Sequence, residues 1–327
     1  MKRVMIFWTC RSECGVLASV VKRLEEDPDI QCIPLRPKHL RGTDPAKLGE
    51  TYSWAYENIE FYAPDLVVAP FDRPEMLMVA IAAMTQNVPV AQIEAGDIAG
   101  RGTGDDKTRY AISMIADLIF CNGKEAHERV CRTIFHNVAF LHKVVWDSGS
   151  TAIDDIEPDY SLVPIAGEAV AVKDPSKKTP AWKPFDLVLY NPETATEMDH
   201  DNLSSIEVLL DEEKPTIFVG PNGDRGSNEI EFVMKKWCEA NEPWTYYDSV
   251  PRAQFLGLMQ KAKRLIGNSS AFCLEIPLLR DDWEKVVTLV GTRNTPDRFL
   301  RDSRPGGSDR IHGEIRCFLG LEEASEG

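Results

Sequence analysis

Residues 64–109 read PDLVVAPFDRPEMLMVAIAAMTQNVPVAQIEAGDIAGRGTGDDKTR. Asp65–Pro70 is a short apolar run of β type that stops at Phe71-Asp72-Arg73. Met76–Met84 is apolar on nearly every face, which predicts a buried helix, and Val88–Ile93 predicts a second strand that runs directly into Glu94-Ala95-Gly96-Asp97. Strands joined in this way are expected to be parallel, with a right-handed crossover. Asp72 and Glu94 then stand at the carboxyl ends of two parallel strands, where open α/β sheets bind ligands. Two carboxylates aimed at one crevice, with Asp105 and Asp106 on the following Gly-rich loop, suit proton transfer. A single carboxylate after a strand also serves as a helix cap or turn residue. The pair on successive strand ends is harder to explain that way.

The same alternation extends in both directions. Arg3–Trp8 is the first expected strand, followed by a polar loop Thr9–Gly15 and a helix striped by Val16, Leu17, Val20, Val21 and Leu24. Free amides at a helix start favour an anion, and Arg11 adds a guanidinium that can fork onto phosphate; its place at a strand end tips the balance slightly toward that reading over an ion pair with Glu13 or another surface acid. Strands at Asp29–Leu35 and Ala116–Cys121, with helices at Pro45–Tyr62, Asp105–Met114 and Lys124–Phe135, complete a first unit. Residues 148–184 are rich in Asp, Pro, Ser and Lys and read as an irregular connection, with a short strand at Ala166–Val172.

A second alternating unit follows. Its expected strands are Phe185–Tyr190, Pro215–Val219, Trp244–Tyr247, Arg264–Ile266 and Lys285–Val290. They end respectively in Asn191-Pro192, Gly220-Pro221-Asn222, an unmarked turn, Gly267-Asn268-Ser269-Ser270, and Gly291-Thr292-Arg293. Ser269 and Ser270 open an expected helix Ala271–Leu279 that carries Glu275, offering amides and hydroxyls to a phosphate and a carboxylate to ribose, though Asn and Ser are also ordinary caps. The expected fold is α/β: two doubly wound Rossmann-like domains, residues 1–165 and 166–327, facing a central cleft.

Composition narrows the function. The 327 residues are 43% apolar and carry a net charge of −15. The basic clusters are short, such as Lys177-Lys178 and Lys261–Arg264, so nucleic acid is not the expected partner. No run approaches the roughly 20 apolar residues that span a bilayer, and MKRVMIFWTCRSE reads as a first strand rather than a signal peptide, so a cytoplasmic location is expected. The eight cysteines form no CxxC pair and are read as reduced; the six histidines show no ligand spacing, so no zinc site is expected. A homo-oligomer is compatible with these patterns.

IEAGDIAG with DDKTRYAIS, Asp72-Arg73, GPNGDRGSNEI, IGNSSAFCLE and GTRNTPDR, taken in that family's order, resemble the UDP-N-acetylglucosamine 2-epimerase family, in particular its hydrolysing branch. The resemblance spans Arg3–Arg298 and implies a GT-B-like fold and a nucleotide-sugar substrate, with a UDP-sugar expected. The chemistry it implies is removal of the sugar C2 proton and elimination of the nucleoside diphosphate from C1. Water then adds to the glucal-like intermediate, and N-acetylmannosamine is released. No metal or redox cofactor is implied. By motif position, Asp72, Glu94 and Asp105 resemble the carboxylates that move protons, and Arg11, Ser269 and Ser270 the diphosphate ligands. Glu275 resembles the ribose ligand, while Arg73, Asn191, Asn222 and Arg293 fall at substrate-contacting positions. Three positions depart from the family: Pro70-Phe71-Asp72 where His-Gly-Asp is usual, Asn191-Pro192 for His-Pro, and Tyr110 for a His. The short C-terminal region, weakly helical after Arg298, leaves open whether it supplies the helix that crosses back to the first domain. A glycosyltransferase of the same architecture, and a nucleotide-sugar-binding protein without catalysis, are the competing readings.

Overall fold

Val4 and Ile6 pack on one face of their strand and Met5 and Phe7 on the other, all four fully buried. The period of two, with no polar face, is the signature of a parallel sheet covered by helices on both sides. A computed structural model describes residues 1–9, 11–36, 45–98, 104–135, 143–164, 183–193, 199–222, 226–294 and 303–321. The described chain divides into two units, Met1–Asp155 with Leu300–Gly327, and Ile156–Phe299. The expected connection at 148–184 contains the division; its strand at Ala166–Val172 lies outside the described residues.

The first unit contains β1 (Lys2–Phe7), α1 (Arg11–Glu26), β2 (Ile30–Leu35), α2 (Pro45–Tyr62), β3 (Leu66–Val68) and α3 (Pro74–Thr85). These are followed by β4 (Val90–Ala95), α4 (Gly104–Ile115), β5 (Leu118–Cys121), α5 (Lys124–Ile134) and β6 (Val144–Asp147). The strands are parallel, in the order β2-β1-β3-β4-β5-β6. The order reverses between β1 and β3, the switch point at which an open sheet leaves a crevice beyond its carboxyl ends. Helix α1 begins at Arg11, so the expected Thr9–Gly15 loop is mostly helix. Glu13 explains the early start: its Oε2 accepts hydrogen bonds from the Thr9 amide and hydroxyl, at 2.5 and 2.9 Å, and binds the end of β1 to the helix.

The second unit contains β7 (Asp186–Leu189), α6 (Asp199–Leu209), β8 (Thr216–Val219), α7 (Ser227–Ala240), β9 (Trp244–Tyr247) and α8 (Arg252–Lys261). Next come β10 (Arg264–Gly267), α9 (Ala271–Leu274), α10 (Ile276–Leu279), α11 (Trp283–Val286) and β11 (Val287–Leu289). Its parallel order β11-β10-β7-β8-β9 reverses between β7 and β10. The expected helix Ala271–Leu279 is two short helices meeting at Glu275. Pro277 has no N–H to return to the preceding turn, which ends the first piece.

The tail supplies α12 (Gly307–Phe318), a full helix that packs on α1 of the first unit. Ile311, Ile315 and Leu319, spaced by one turn, enter the core formed by Leu17, Val20 and Leu24. Full burial of one such side chain contributes about 1.5–3 kcal/mol. Asp27 clamps the polar edge, accepting from Arg316 Nη1 and facing His312 Nε2 at 2.7 Å, and Arg23 pairs with Asp309 and Asp155. Among the described residues no helix is long and apolar enough to cross a membrane.

Candidate active site

Two polar assemblies occupy carboxyl strand ends, one in each unit. In the first, Phe71 after β3 and Glu94 within β4 both adopt positive φ, 65° and 62°. Side chains with a Cβ occupy this region at a cost of about 1–3 kcal/mol and persist there only where their surroundings hold them. Here the surroundings are explicit. The Phe71 amide donates to Ile93 O at 2.9 Å. Fully buried Gln92 donates through Nε2 to Phe71 O at 3.3 Å and to Arg109 O at 3.0 Å, while its Oε1 accepts from Ser113 Oγ at 2.6 Å. One amide thus ties the turn before Asp72, the strand before Glu94 and helix α4 together.

Arg109 stands at the centre and is 3% exposed. Its Nη2 donates to Asp72 Oδ2 and its Nη1 lies 3.0 Å from Asp97 Oδ2. Burial alone would weaken its charge, but Asp72, Asp97, Glu94 and Asp106 around it raise its proton affinity above the ordinary arginine value. Asp97 is itself buried, and its Oδ1 accepts the Ile98 amide at 2.8 Å. Glu94 is buried with both carboxylate oxygens facing Asn122 Nδ2, at 3.1 and 3.4 Å.

The structure therefore brings Asp72 and Glu94 around one cation. Asp105 lies on the first turn of α4 and is half-buried; its neighbour Asp106 is the buried member of the pair and acts on Arg109. Arg73 turns to a separate set of charges: Nη2 lies 3.4 Å from Glu75 Oε1 and Nε 4.0 Å from Glu13 Oε1. Arg11 is the first residue of α1, and its side chain lies outside the described residues.

In the second unit the switch point between β7 and β10 is closed by asparagines. The Asn191 amide donates to Asn268 Oδ1 at 2.6 Å, and Asn268 Nδ2 returns to Asn191 O at 2.8 Å. Asn191 Oδ1 accepts the Asn222 amide at 2.8 Å, joining the ends of β7 and β8, and Asn294 Nδ2 donates to Asn268 O. Buried Glu193 gathers the turn after β11: it accepts from the Thr292 amide at 2.7 Å, the Arg293 amide at 3.0 Å and Thr292 Oγ1 at 2.8 Å. Arg293 Nη1 donates in turn to Pro192 O at 2.8 Å. Close approach is built in: a Cβ on Gly267, at φ 138°, would lie 2.0 Å from Leu189 O, and one on Gly291 would lie 2.1 Å from Glu193 Oε1.

Asn191, Asn222 and Arg293 thus belong to one connected lattice, with Ser269 next to it and buried; Ser269 Oγ accepts the Ala271 amide at 3.3 Å. Ser270 is exposed, and Glu275 lies behind α9, paired with Arg252 Nη2 at 2.5 Å. Sequence reasoning missed Gln92, Asp97, Arg109, Asn122, Glu193, Asn268 and Arg252 as site residues. Arg109 had a signal, since it lies one turn after Asp105 and Asp106 on the same helix. Among the described residues no cluster of His, Cys, Asp and Glu could hold a metal ion.

Two doubly wound parallel sheets, each with polar residues gathered at the carboxyl ends of its strands, define a Rossmann-type α/β enzyme of two units. The sequence matches the UDP-N-acetylglucosamine 2-epimerase family over residues 37–294, and the chain belongs to that family. It is similar to the Legionella pneumophila UDP-N,N'-diacetylbacillosamine 2-epimerase (hydrolyzing), with 24% identity over 84% of this chain and 78% of that protein. It is also similar to the Campylobacter jejuni GDP/UDP-N,N'-diacetylbacillosamine 2-epimerase (hydrolyzing), with 27% identity over 70% of this chain and 57% of that protein. In three dimensions it resembles Staphylococcus aureus MnaA in complex with UDP, with TM-score 0.72, 16% identity, and 98% of each chain covered. Methanocaldococcus jannaschii UDP-GlcNAc 2-epimerase gives TM-score 0.68 at 16% identity, covering 98% of this chain and all of that one. The GT-B-like fold expected from the resemblance is the observed one.

Proposed function

We propose that the protein is a hydrolysing nucleotide-sugar 2-epimerase: it eliminates the nucleoside diphosphate from a UDP-type N-acetylamino sugar and adds water to give the free 2-epimer. The observation that carries this is the convergence of Asp72 and Glu94, on adjacent parallel strand ends, around buried Arg109. Elimination needs one group to take the C2 proton and one to escort the departing charge, and re-addition needs a proton delivered to C2. Glu94 and Asp72 supply two carboxylates held on rigid strand ends, and Asp105 is a third on the opening turn of α4. Arg109 offsets the repulsion among the acids gathered around it.

In the same reading, Arg11, Ser269 and Ser270 bind diphosphate, Glu275 takes the ribose, and Asn191, Asn222, Arg73 and Arg293 contact substrate. Asn191 can donate to a phosphate oxygen but cannot carry a proton, which leaves proton transfer to the carboxylates of the first unit. The relatives named as hydrolysing diacetylbacillosamine epimerases make the UDP-linked diacetylated sugar a substrate to try alongside UDP-N-acetylglucosamine. The test is NMR of each nucleotide sugar incubated with the protein in deuterated water. Released UDP with a free 2-epimer deuterated at C2 is the expected result. Intact nucleotide sugar in both, or sugar transfer only when an acceptor is added, would overturn the reading.

A further inference from the structure

Asn122 follows β5 and is 2% exposed, yet no part of the chemistry above uses it. A primary amide presents a donor end and an acceptor end, and which faces a carboxylate decides whether it attracts or repels. Here the choice is made from the other side. Ser303 Oγ donates to Asn122 Oδ1, so the amide turns its Nδ2 toward Glu94, 3.1 Å from Oε2 and 3.4 Å from Oε1. Ser303 lies just ahead of α12 in a stretch fixed to the first unit at several points. Arg304 O accepts the Ser150 amide at 2.8 Å, Arg304 Nη2 donates to Asp147 O at 3.1 Å, and the Gly306 amide donates to Asp154 Oδ1 at 2.7 Å.

We propose that Asn122 is a positioning residue for Glu94 and that the tail completes it: Ser303 locks the amide, and the locked amide holds the carboxylate in place and in its ionised form. A hydrogen bond donated to a carboxylate favours the charged state, and a donor that cannot rotate away favours it at every moment of the cycle. Among the described residues Glu94 acts on Arg109 of α4, a cation it shares with Asp72, Asp97 and Asp106, and on the Cys121 thiol of β5, which Cys131, Asp147 and Arg129 also influence. All are retained in the variants below, so a change in Glu94 is assignable to the amide.

The role rests on the proposed acid–base function of Glu94, and the experiment separates the two. Glutamate carboxyl carbons are labelled in the full chain, and the Glu94 resonance is identified by its loss in Glu94→Gln. Its titration is followed in wild type, Asn122→Ala, Asn122→Ser, Ser303→Ala and Ser303→Thr, together with kcat, KM and the acidic limb of kcat/KM for UDP release. Asn122→Ala is expected to move the Glu94 titration and the acidic limb together to higher pH, with about a tenfold loss of kcat/KM on that limb for each unit of displacement. Ser303→Ala is expected to move both in the same direction by less, and Asn122→Ser and Ser303→Thr, which keep a donor, to recover part of the shift. A Glu94 titration unmoved in folded Ser303→Ala and Asn122→Ala overturns the proposal. A titration that moves while Glu94→Gln turns over normally leaves the positioning intact and overturns the acid–base reading instead.

Discussion

Replacing Arg109 by Met removes one charge and leaves most of the stem volume, so it tests whether the acidic assembly of the first unit depends on that cation. The magnitude follows from the two ion pairs. Asp72 is 22% exposed and its pair is screened by water, which limits it to about 1 kcal/mol. Asp97 is 4% exposed and lies 3.0 Å from Nη1. At an effective dielectric of about 20 that contact is worth roughly 5–6 kcal/mol before desolvation, and breaking one side of such a buried pair costs about 3–5 kcal/mol. Arg109→Met is therefore expected to lose about 3–5 kcal/mol at about pH 7.5. Arg109 keeps its proton throughout the accessible range, so its own titration adds no pH dependence. The pH dependence follows from burial: a carboxylate buried without its cation favours the neutral form, so the deficit from breaking the Asp97 pair shrinks as pH falls to about 5. Urea unfolding at the two pH values, with amide exchange in β4 and α4 reporting the first unit separately, measures it. A deficit below about 1 kcal/mol, or one unchanged between the two pH values, would refute the electrostatic account.

Glu94→Gln keeps shape and polarity but cannot exchange a proton at neutral pH; turnover is expected to fall by about 10²–10⁴, with nucleotide affinity within a few fold by calorimetry. Wild-type turnover would remove Glu94 from the chemistry. Glu193→Gln leaves one oxygen where two serve three donors, and is expected to cost about 1.5–3 kcal/mol in unfolding free energy and to weaken UDP binding; an unchanged midpoint would mean the turn after β11 holds itself. Burial disfavours the Asp27 charge, but Arg316, the Asp29 amide and His312 hold its carboxyl below the usual carboxylate range. A lowered folded value gives stability that is present above the unfolded value near 3.9 and is lost as pH falls through the folded one. Asp27→Asn is therefore expected to lower the thermal midpoint at neutral pH and to converge with wild type in acid; a constant gap would refute the linkage.

The strands were legible because helices cover both faces of each sheet, so β1 from Val4 onward and β3 are written as apolar runs with abrupt polar ends, and β4 is interrupted only by Gln92 before it reaches Glu94. That abruptness also exposed Asp72, Glu94, Asn191 and Ser269, since a side chain just past a buried strand has few reasons to be polar. The partners were less visible. Arg109 reaches Asp72 across 37 positions and Ser303 reaches Asn122 across 181, distances over which one sequence records no pairing. Gln92 was hidden for another reason: inside an apolar strand it reads as a tolerated polar residue, and only its bonds to Phe71, Arg109 and Ser113 show what its amide spans. The break at Glu275 was available from Pro277 and was overlooked because the apolar pattern continues through it. Helix α12 has its stripe at Ile311, Ile315 and Leu319, but the Gly- and Arg-rich approach to it obscures the start.

The return of the tail makes the second unit an insertion in the covalent order of the first. A ribosome making this chain finishes Ile156–Phe299 before it has made α12, so the contiguous unit has all its strands in hand while the earlier one still exposes the groove that Ile311 and Ile315 will fill. Domains generally fold as units, the N-terminal one first; here the core of the first unit stays incomplete until α12 has been made. A fragment ending at Asp155 would carry every strand of its sheet and nearly every polar group of its assembly. It would also carry an open apolar seam along α1 and a Glu94 whose amide partner has lost its serine.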